Sequence, residues 1–406
     1  MSQRKSMLVN CGILLLPVLS ALIVFVAGEI GFRLYQRQAD GIPFRSSLGQ
    51  DEWNPAWPLV LDDTLGWRAS AGYQDRREVT ETTSKGVKYP IKRSQKEYGF
   101  RMFGDLRSTR PKVLVIGDSF TQALQVSDDD TYYASLKDAL GVEIFAYGAG
   151  GYGTLQEYMI LDQYVDMIKP TLILWQFCAN DFINNDPALE TASLVNNNGW
   201  RRPYWVDGHI VYVLPKAWSA SFRIFAQRHS RFLHFLLSRW DRLLAIYPVQ
   251  TVEVQIEREG LAHQGFQHAV QVTSELMGKV RSRVGGIPIV AFSSSGGEPY
   301  DSAFKAISSP NDVVFLQDIA EAVEAAHKRG DDVLHADMGH WSVAGHRLIG
   351  SRIGEHLRAM LPSVSQIQSR ATEEMAPPIA LAGPQPVNRL LGIGLKESSA
   401  YLRAHD

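Results

Sequence analysis

A serine, a histidine and a carboxylate stand in this chain where acyl chemistry could use them. In KVLVIGDSFT (112–121) an apolar run ends on Gly117, Asp118 and Ser119, which leaves a hydroxyl at the end of a strand-like segment. A serine hydroxyl attacks poorly unless a base takes its proton, and an imidazole is suited to that task. DMGHWSVAGH (337–346) supplies one in His340, with Asp337 three residues earlier to orient the ring. Attack on an ester carbonyl creates an oxyanion, which needs hydrogen-bond donors already in place. The amide of Ser119, a glycine amide from GAGGYG (148–153) and the side-chain amide of Asn180 in CAND (178–181) can provide them. Singly these are weak signals, since Gly-Asp-Ser and Asn-Asp are common in turns and the chain has 11 histidines. In this order, each after a strand or before a helix, they describe a site.

The elements that must position them read clearly. KVLVIG (112–117) is a continuous apolar run of the kind a doubly buried strand shows, and VEIFAY (142–147), TLILWQF (171–177) and IPIVAF (287–292) are further strands. Helical patterns cover 127–140, 154–168, 262–283, 312–328 and 343–360. The alternation predicts an α/β fold, a parallel sheet with helices on both faces, whose ligands bind beyond the carboxyl ends of the strands. Residues 29–110 lack strong periodicity; LGWRASAGYQ (65–74) and EYGFRM (97–102) suggest turns and short strands that lead into the core.

The alternation stops over 187–261, which reads as an insertion in one domain spanning 111–362. Its segment SFRIFAQRHSRFLHFLLSRW (221–240) sets Phe222, Phe225, Phe232 and Leu236 near one helical face, with Arg228, Arg231 and Arg239 elsewhere. Such a helix is expected to pack its apolar face on the domain. An anionic membrane surface or an acidic polymer is the alternative occupant. Its place after the third strand suits a lid that shapes specificity.

The four blocks resemble the SGNH (GDSL-like) hydrolase family. Gly117-Asp118-Ser119-Phe120-Thr121 is similar to its first block, Gly151 (or Gly153) to its second, Asn180-Asp181 to its third and Asp337-Met338-Gly339-His340 to its last, over 112–182 and 287–358. The resemblance implies a three-layer, flavodoxin-like fold and hydrolysis or transfer of acyl esters. It makes Ser119 the nucleophile, His340 the base and Asp337 its orienter, with Gly151, Asn180 and the Ser119 amide as oxyanion donors. Membrane-anchored relatives with GFR-type phrases before the first block belong to bacterial envelope or exopolysaccharide systems, so the implied substrate is an O-acyl, chiefly O-acetyl, carbohydrate. Transfer of acetyl to a polysaccharide, cleavage of a lipid or lipoprotein ester, and a non-catalytic polysaccharide-binding assembly role are the rival expectations. Ala146 stands where many members carry an asparagine, and the insertion is longer than a minimal member needs. Asp332-Val333-Leu334-His335 also fits the last block, but only His340 is followed by a helix entry, so Asp332 and His335 are assigned to the preceding strand or turn.

The N-terminus points to a membrane. After Arg4 and Lys5 no charge appears until Glu29, and Met7–Gly28 at ~1.5 Å per residue would reach roughly 33 Å, enough to span a bilayer. Residues 1–6 are then a short tip and 7–28 a retained anchor, with cleavage after Val26-Ala27-Gly28 as the competing reading. The site is expected on the extracytoplasmic side. Residues 363–406, rich in Ser, Gln, Ala and Pro, read as a mobile tail. A net charge of −2 argues against nucleic acid as partner. Cys11 and Cys178, the only cysteines, are not expected to pair. No metal-ligand spacing appears, and no cofactor is called for.

Overall fold

The computed structural model describes residues 2–39, 42–45, 58–193, 195–215, 222, 225–226, 229–246, 251–294 and 297–374. The chain divides into two compact units, Met1–Gln366 and Ile367–Asp406. A long helix α1 (Ser2–Ala39) comes first. Two antiparallel ribbons follow, β1 (Leu59–Asp62) with β2 (Gly66–Ala69) and β3 (Val79–Thr82) with β4 (Lys88–Ile91).

The short strand β5 (Met102–Phe103) enters the main sheet, which continues with β6 (Lys112–Gly117). Helices α2 (Ser119–Gln122) and α3 (Tyr132–Leu140), strand β7 (Glu143–Gly148) and helix α4 (Thr154–Ile168) come next. After β8 (Leu172–Phe177) lie α5 (Asn180–Asn184) and α6 (Pro187–Ala192). The inserted region adds the hairpin β9 (Arg202–Val206) and β10 (His209–Val213), then α7 (Arg231–Ile246) and α8 (Val252–Glu259). The core resumes with α9 (Gln264–Val284), β11 (Ile289–Ser293), α10 (Tyr300–Ser308), β12 (Val313–Leu316), α11 (Asp318–Lys328) and α12 (Val343–Glu374).

The main sheet has the order β12-β11-β8-β6-β7-β5. Its five longer strands run parallel, in the doubly wound order in which the second strand sits outside the first. β5 pairs antiparallel on the edge, so the sheet is mixed rather than wholly parallel. β6, β7 and β8 are buried along almost their whole length because both faces are covered. On one face Ile160, Phe182, Phe266 and Phe304 join α4, α5, α9 and α10 to the sheet. On the other, Val113, Tyr132, Phe292, Ile319 and Ile349 join α3, α11 and α12. The expected sheet with helices on both faces is therefore present.

Several boundaries differ from the expectations, each for a local reason. The helical pattern over 312–328 divides into β12 and α11, because Val313–Leu316 pairs with β11 before Asp318 opens the helix. The helix expected from Ser127 starts at Tyr132, since Thr131 is the residue whose hydroxyl accepts from the Ala134 N–H. α12 continues to Glu374, into the span read as a tail, of which residues 375–406 lie outside the described residues. α1 runs past Gly28 to Ala39; its stretch Leu19–Ala39 is long and apolar enough to cross a membrane, a property that a signal sequence shares.

The expectation for the inserted helix holds only in part. Phe232 packs against Phe25 and Phe32 of α1, while Phe222, Phe225 and Leu236 are exposed and Arg228 lies outside the described residues. Glu29 of α1 accepts hydrogen bonds from the Ser230 hydroxyl (2.7 Å) and the Arg231 and Phe232 amides (3.1 and 2.9 Å), which caps the start of α7. A Cβ on Gly28 would lie 2.5 Å from the Phe232 ring, so only glycine admits this contact.

Candidate active site

Strand pairing sets the site. Gly117 of β6 faces Gly148 of β7 in register, so the turns after both strands emerge side by side at the carboxyl edge, where the sheet order reverses. Asp118 caps α2 by accepting the Phe120 amide at 3.0 Å, and its own amide donates to Gln176 Oε1 of β8 at 3.2 Å. The Thr121 hydroxyl donates to the same Gln176 oxygen at 2.9 Å. Ser119 is thereby presented, half-buried, at the first position of a one-turn helix.

His340 arrives from the loop before α12. Its Nε2 is 2.9 Å from Ser119 Oγ, and its Nδ1 is 2.8 Å from Asp337 Oδ2. The other Asp337 oxygen accepts the Gly339 and His340 amides, each at 2.9 Å. Met338 takes a left-handed conformation (φ 61°), which turns the chain tightly enough for one carboxylate to reach both amides and the ring. Burial pushes the Asp337 carboxyl up, but the hydrogen bonds from the His340 ring and amide outweigh it, and the group is held well below the usual carboxylate range. The His340 side chain is 26% exposed, so the ring opens to an incoming ligand. Phe120 lies against it, ring centroids 4.8 Å apart, and fixes its plane.

The glycine loop 148–153 is tied at several points. The Gly150 amide donates to Gln122 Oε1 (2.9 Å), and its carbonyl accepts from Trp67 Nε1 (2.9 Å). The Gly153 amide turns toward Gln156 Oε1 at 3.4 Å, at the start of α4. Gly151 has φ 76°, a Cβ there would strike Asn198, and its amide finds no acceptor among the described residues. A Cβ on Gly150 would lie 3.8 Å from that of Ser119, which puts the loop beside the hydroxyl. Of the two glycines picked from the sequence, Gly151 rather than Gly153 has a spare donor. Asn180 donates one amide hydrogen to Asn184 Oδ1 at 2.9 Å and keeps a second.

Three buried carboxyls lie behind this edge: Asp118, Glu157 of α4 and Asp181 of α5. Glu157 Oε2 accepts from Trp175 Nε1 at 2.6 Å and Asp181 Oδ2 from the Cys178 amide at 3.1 Å. Burial pushes all three upward; Glu157 and Asp181 rise further because each feels the negative charge of its neighbours. Cys178 is a free, buried thiol. No group of three or more metal-ligand side chains occurs among the described residues.

Sequence reasoning passed over four supporting residues. Gln122 and Trp67 hold the glycine loop, Gln176 holds the serine turn, and buried Arg101 donates to the carbonyls of Gln122 (3.0 Å) and Val126 (2.8 Å). Arg101 stands in the EYGFRM phrase, and an arginine set directly between Phe100 and Met102 was the available signal. Asp332 and His335 lie away from Ser119: Asp332 accepts from the hydroxyls of Thr83 and Ser84, and His335 sits behind Asp337.

No family model matches this chain, and no curated protein does. Among solved structures it is similar to a lipase/acylhydrolase from Enterococcus faecalis, at 14% identity over 62% of this chain and 96% of that one, with a TM-score of 0.35. It is similar to an acetylxylan esterase from Geobacillus stearothermophilus at 13% identity, covering 63% and 94%, TM-score 0.34. The family 3 carbohydrate esterase of Clostridium thermocellum gives 12% identity, 61% and 98%, TM-score 0.32. Such identities and scores are too low to carry an activity across.

Proposed function

We propose that this protein is a membrane-anchored serine esterase that removes O-acyl groups, acetyl first among them, from an envelope or secreted carbohydrate. One observation carries the reading: the unbroken line from Ser119 Oγ through the His340 ring to Asp337, open to solvent at a strand edge. His340 Nε2 takes the hydroxyl proton as Oγ adds to the ester carbonyl, and Asp337 steadies the imidazolium that forms. The carbonyl oxygen, now negative, is received by the amides of Ser119 and Gly151 and by Asn180 Nδ2. His340 then returns the proton to the leaving alcohol, and water repeats the sequence to release the acid. A sugar hydroxyl in place of that water would make the same site an acetyltransferase. The carbohydrate and the extracytoplasmic location rest on the family resemblance and the apolar α1.

The contacts of Phe25 and Gly28 with Phe232 support retention of α1, because a chain cleaved after Gly28 would lose both. One experiment tests both parts. Full-length protein purified from membranes is treated with a fluorophosphonate and its intact mass is measured. The expected mass is that of the uncleaved chain plus one adduct, absent in Ser119→Ala. A wild type that takes no label and hydrolyses no aryl acetate overturns the enzyme; a mass lacking the first 28 residues overturns the anchor.

A further inference from the structure

A second imidazole stands behind the carboxylate. Asp337 Oδ2, 2.8 Å from His340 Nδ1, is also 3.2 Å from His335 Nδ1. The same His335 nitrogen lies 3.3 Å from the Asp337 backbone amide, so it faces a donor and an acceptor at once. Its Nε2 is 3.0 Å from Glu81 Oε2 on β3. The ring is 14% exposed and therefore held.

A neutral imidazole carries one proton, and its position is set by the partner of the other nitrogen. With the proton on Nε2, the ring donates to Glu81, and Nδ1 accepts the Asp337 amide. With the proton on Nδ1, the ring would donate into Asp337 Oδ2, compete there with His340 and leave Glu81 facing a lone pair. Glu81 therefore selects the first form. Arg93, bound to Asp75 at 2.8 and 3.0 Å, reaches within 3.8 Å of the other Glu81 oxygen and supports its charge.

The β3–β4 hairpin is joined to the catalytic loop in a way that maintains this contact. The Ala336 amide donates to Thr82 O (2.9 Å), the Ser84 amide to Leu334 O (2.9 Å) and the Thr83 hydroxyl to Asp332 Oδ2 (2.5 Å). Glu81 thus cannot shift against His335 without breaking a ribbon of backbone bonds.

We propose that His335 is a positioning residue for Asp337, locked by Glu81 in the tautomer that leaves the carboxylate to His340 alone; this rests on the triad reading above. Its removal lowers turnover without touching the substrate.

The test uses the full-length enzyme and an aryl acetate. His335→Ala is expected to lower kcat about tenfold with KM little changed, the scale of a misplaced catalytic group. His335→Asn, whose amide oxygen can stand where Nδ1 accepted the Asp337 N–H, is expected to recover most of that loss. Nitrogen-15 spectra of histidine-labelled protein are expected to show the His335 ring protonated at Nε2. Wild-type kcat in His335→Ala, equal damage in both variants, or a ring protonated at Nδ1 would each overturn the proposal. Should the wild type hydrolyse no ester, the esterase reading fails by itself, and the ring spectrum still decides whether Glu81 sets the tautomer.

Discussion

Asp337 spends one oxygen on two backbone amides and the other on the His340 ring, which keeps its charge in place across the range where an imidazole titrates. Because its proton affinity is lowered, it stays anionic as the pH falls through the usual carboxylate range. Asp337 should accordingly add no limb of its own to the pH–rate profile in that range. Asp337→Asn keeps the shape, yet with its oxygen on the two amides its NH2 faces His340 Nδ1. The ring must then carry its proton on Nε2, where it cannot accept one from Ser119. A fall in kcat on the order of 10⁴ is expected, with KM nearly unchanged; steady-state rates on an aryl acetate measure it, and a loss under tenfold would contradict the role. Ser119, His340 and Asp337 were legible because each sits in a short local pattern. His335 was not, because its meaning depends on Glu81, 254 residues away.

At the scale of elements, the site needs β7 to end directly against the serine turn. A Cβ on Gly148 would lie 2.5 Å from Asp118 O and 2.7 Å from the Thr121 carbonyl carbon, and both are backbone. No rotamer can relieve that clash, so Gly148→Ala must push β7 or α2 outward. Overpacking of this kind typically costs about 1–3 kcal/mol, and here the displacement also separates Ser119 from the glycine loop. A lower unfolding midpoint together with slower fluorophosphonate labelling is expected; wild-type labelling would show that the two turns do not support each other. The strands that build this edge were readable from their apolar runs, since burial on both faces removes any alternation. β12 was not: Val313–Leu316 has only four residues, and the periodicity of α11 directly behind it made the whole span look helical. The inserted region was legible only as a break in the pattern, because α1, the partner of its helix α7, lies some two hundred residues earlier.

For the whole molecule, the buried carboxyls Asp118, Glu157 and Asp181 set a stability that depends on pH. In the unfolded chain such groups lose their protons near pH 4. In the folded protein burial raises all three, and the charge of neighbouring carboxylates raises Glu157 and Asp181 further, so the native state binds more protons than the unfolded one. Their contribution is complete below the unfolded pKa and is lost as the pH rises towards the folded values. Asp337 and Asp128 work in the opposite sense, adding stability that is lost only on acidification below the usual carboxylate range, so they leave the neutral region flat. Each proton retained adds a slope of about 1.4 kcal/mol per pH unit. Asp181→Asn removes one of the three while its amide oxygen can still accept the Cys178 N–H. The unfolding midpoint of the full-length protein should therefore fall less steeply as the pH rises above the usual carboxylate range in that variant than in the wild type. Parallel pH profiles for the two proteins would mean that Asp181 is ionised in the folded state, and that a neighbouring cation offsets its charge instead of a held proton.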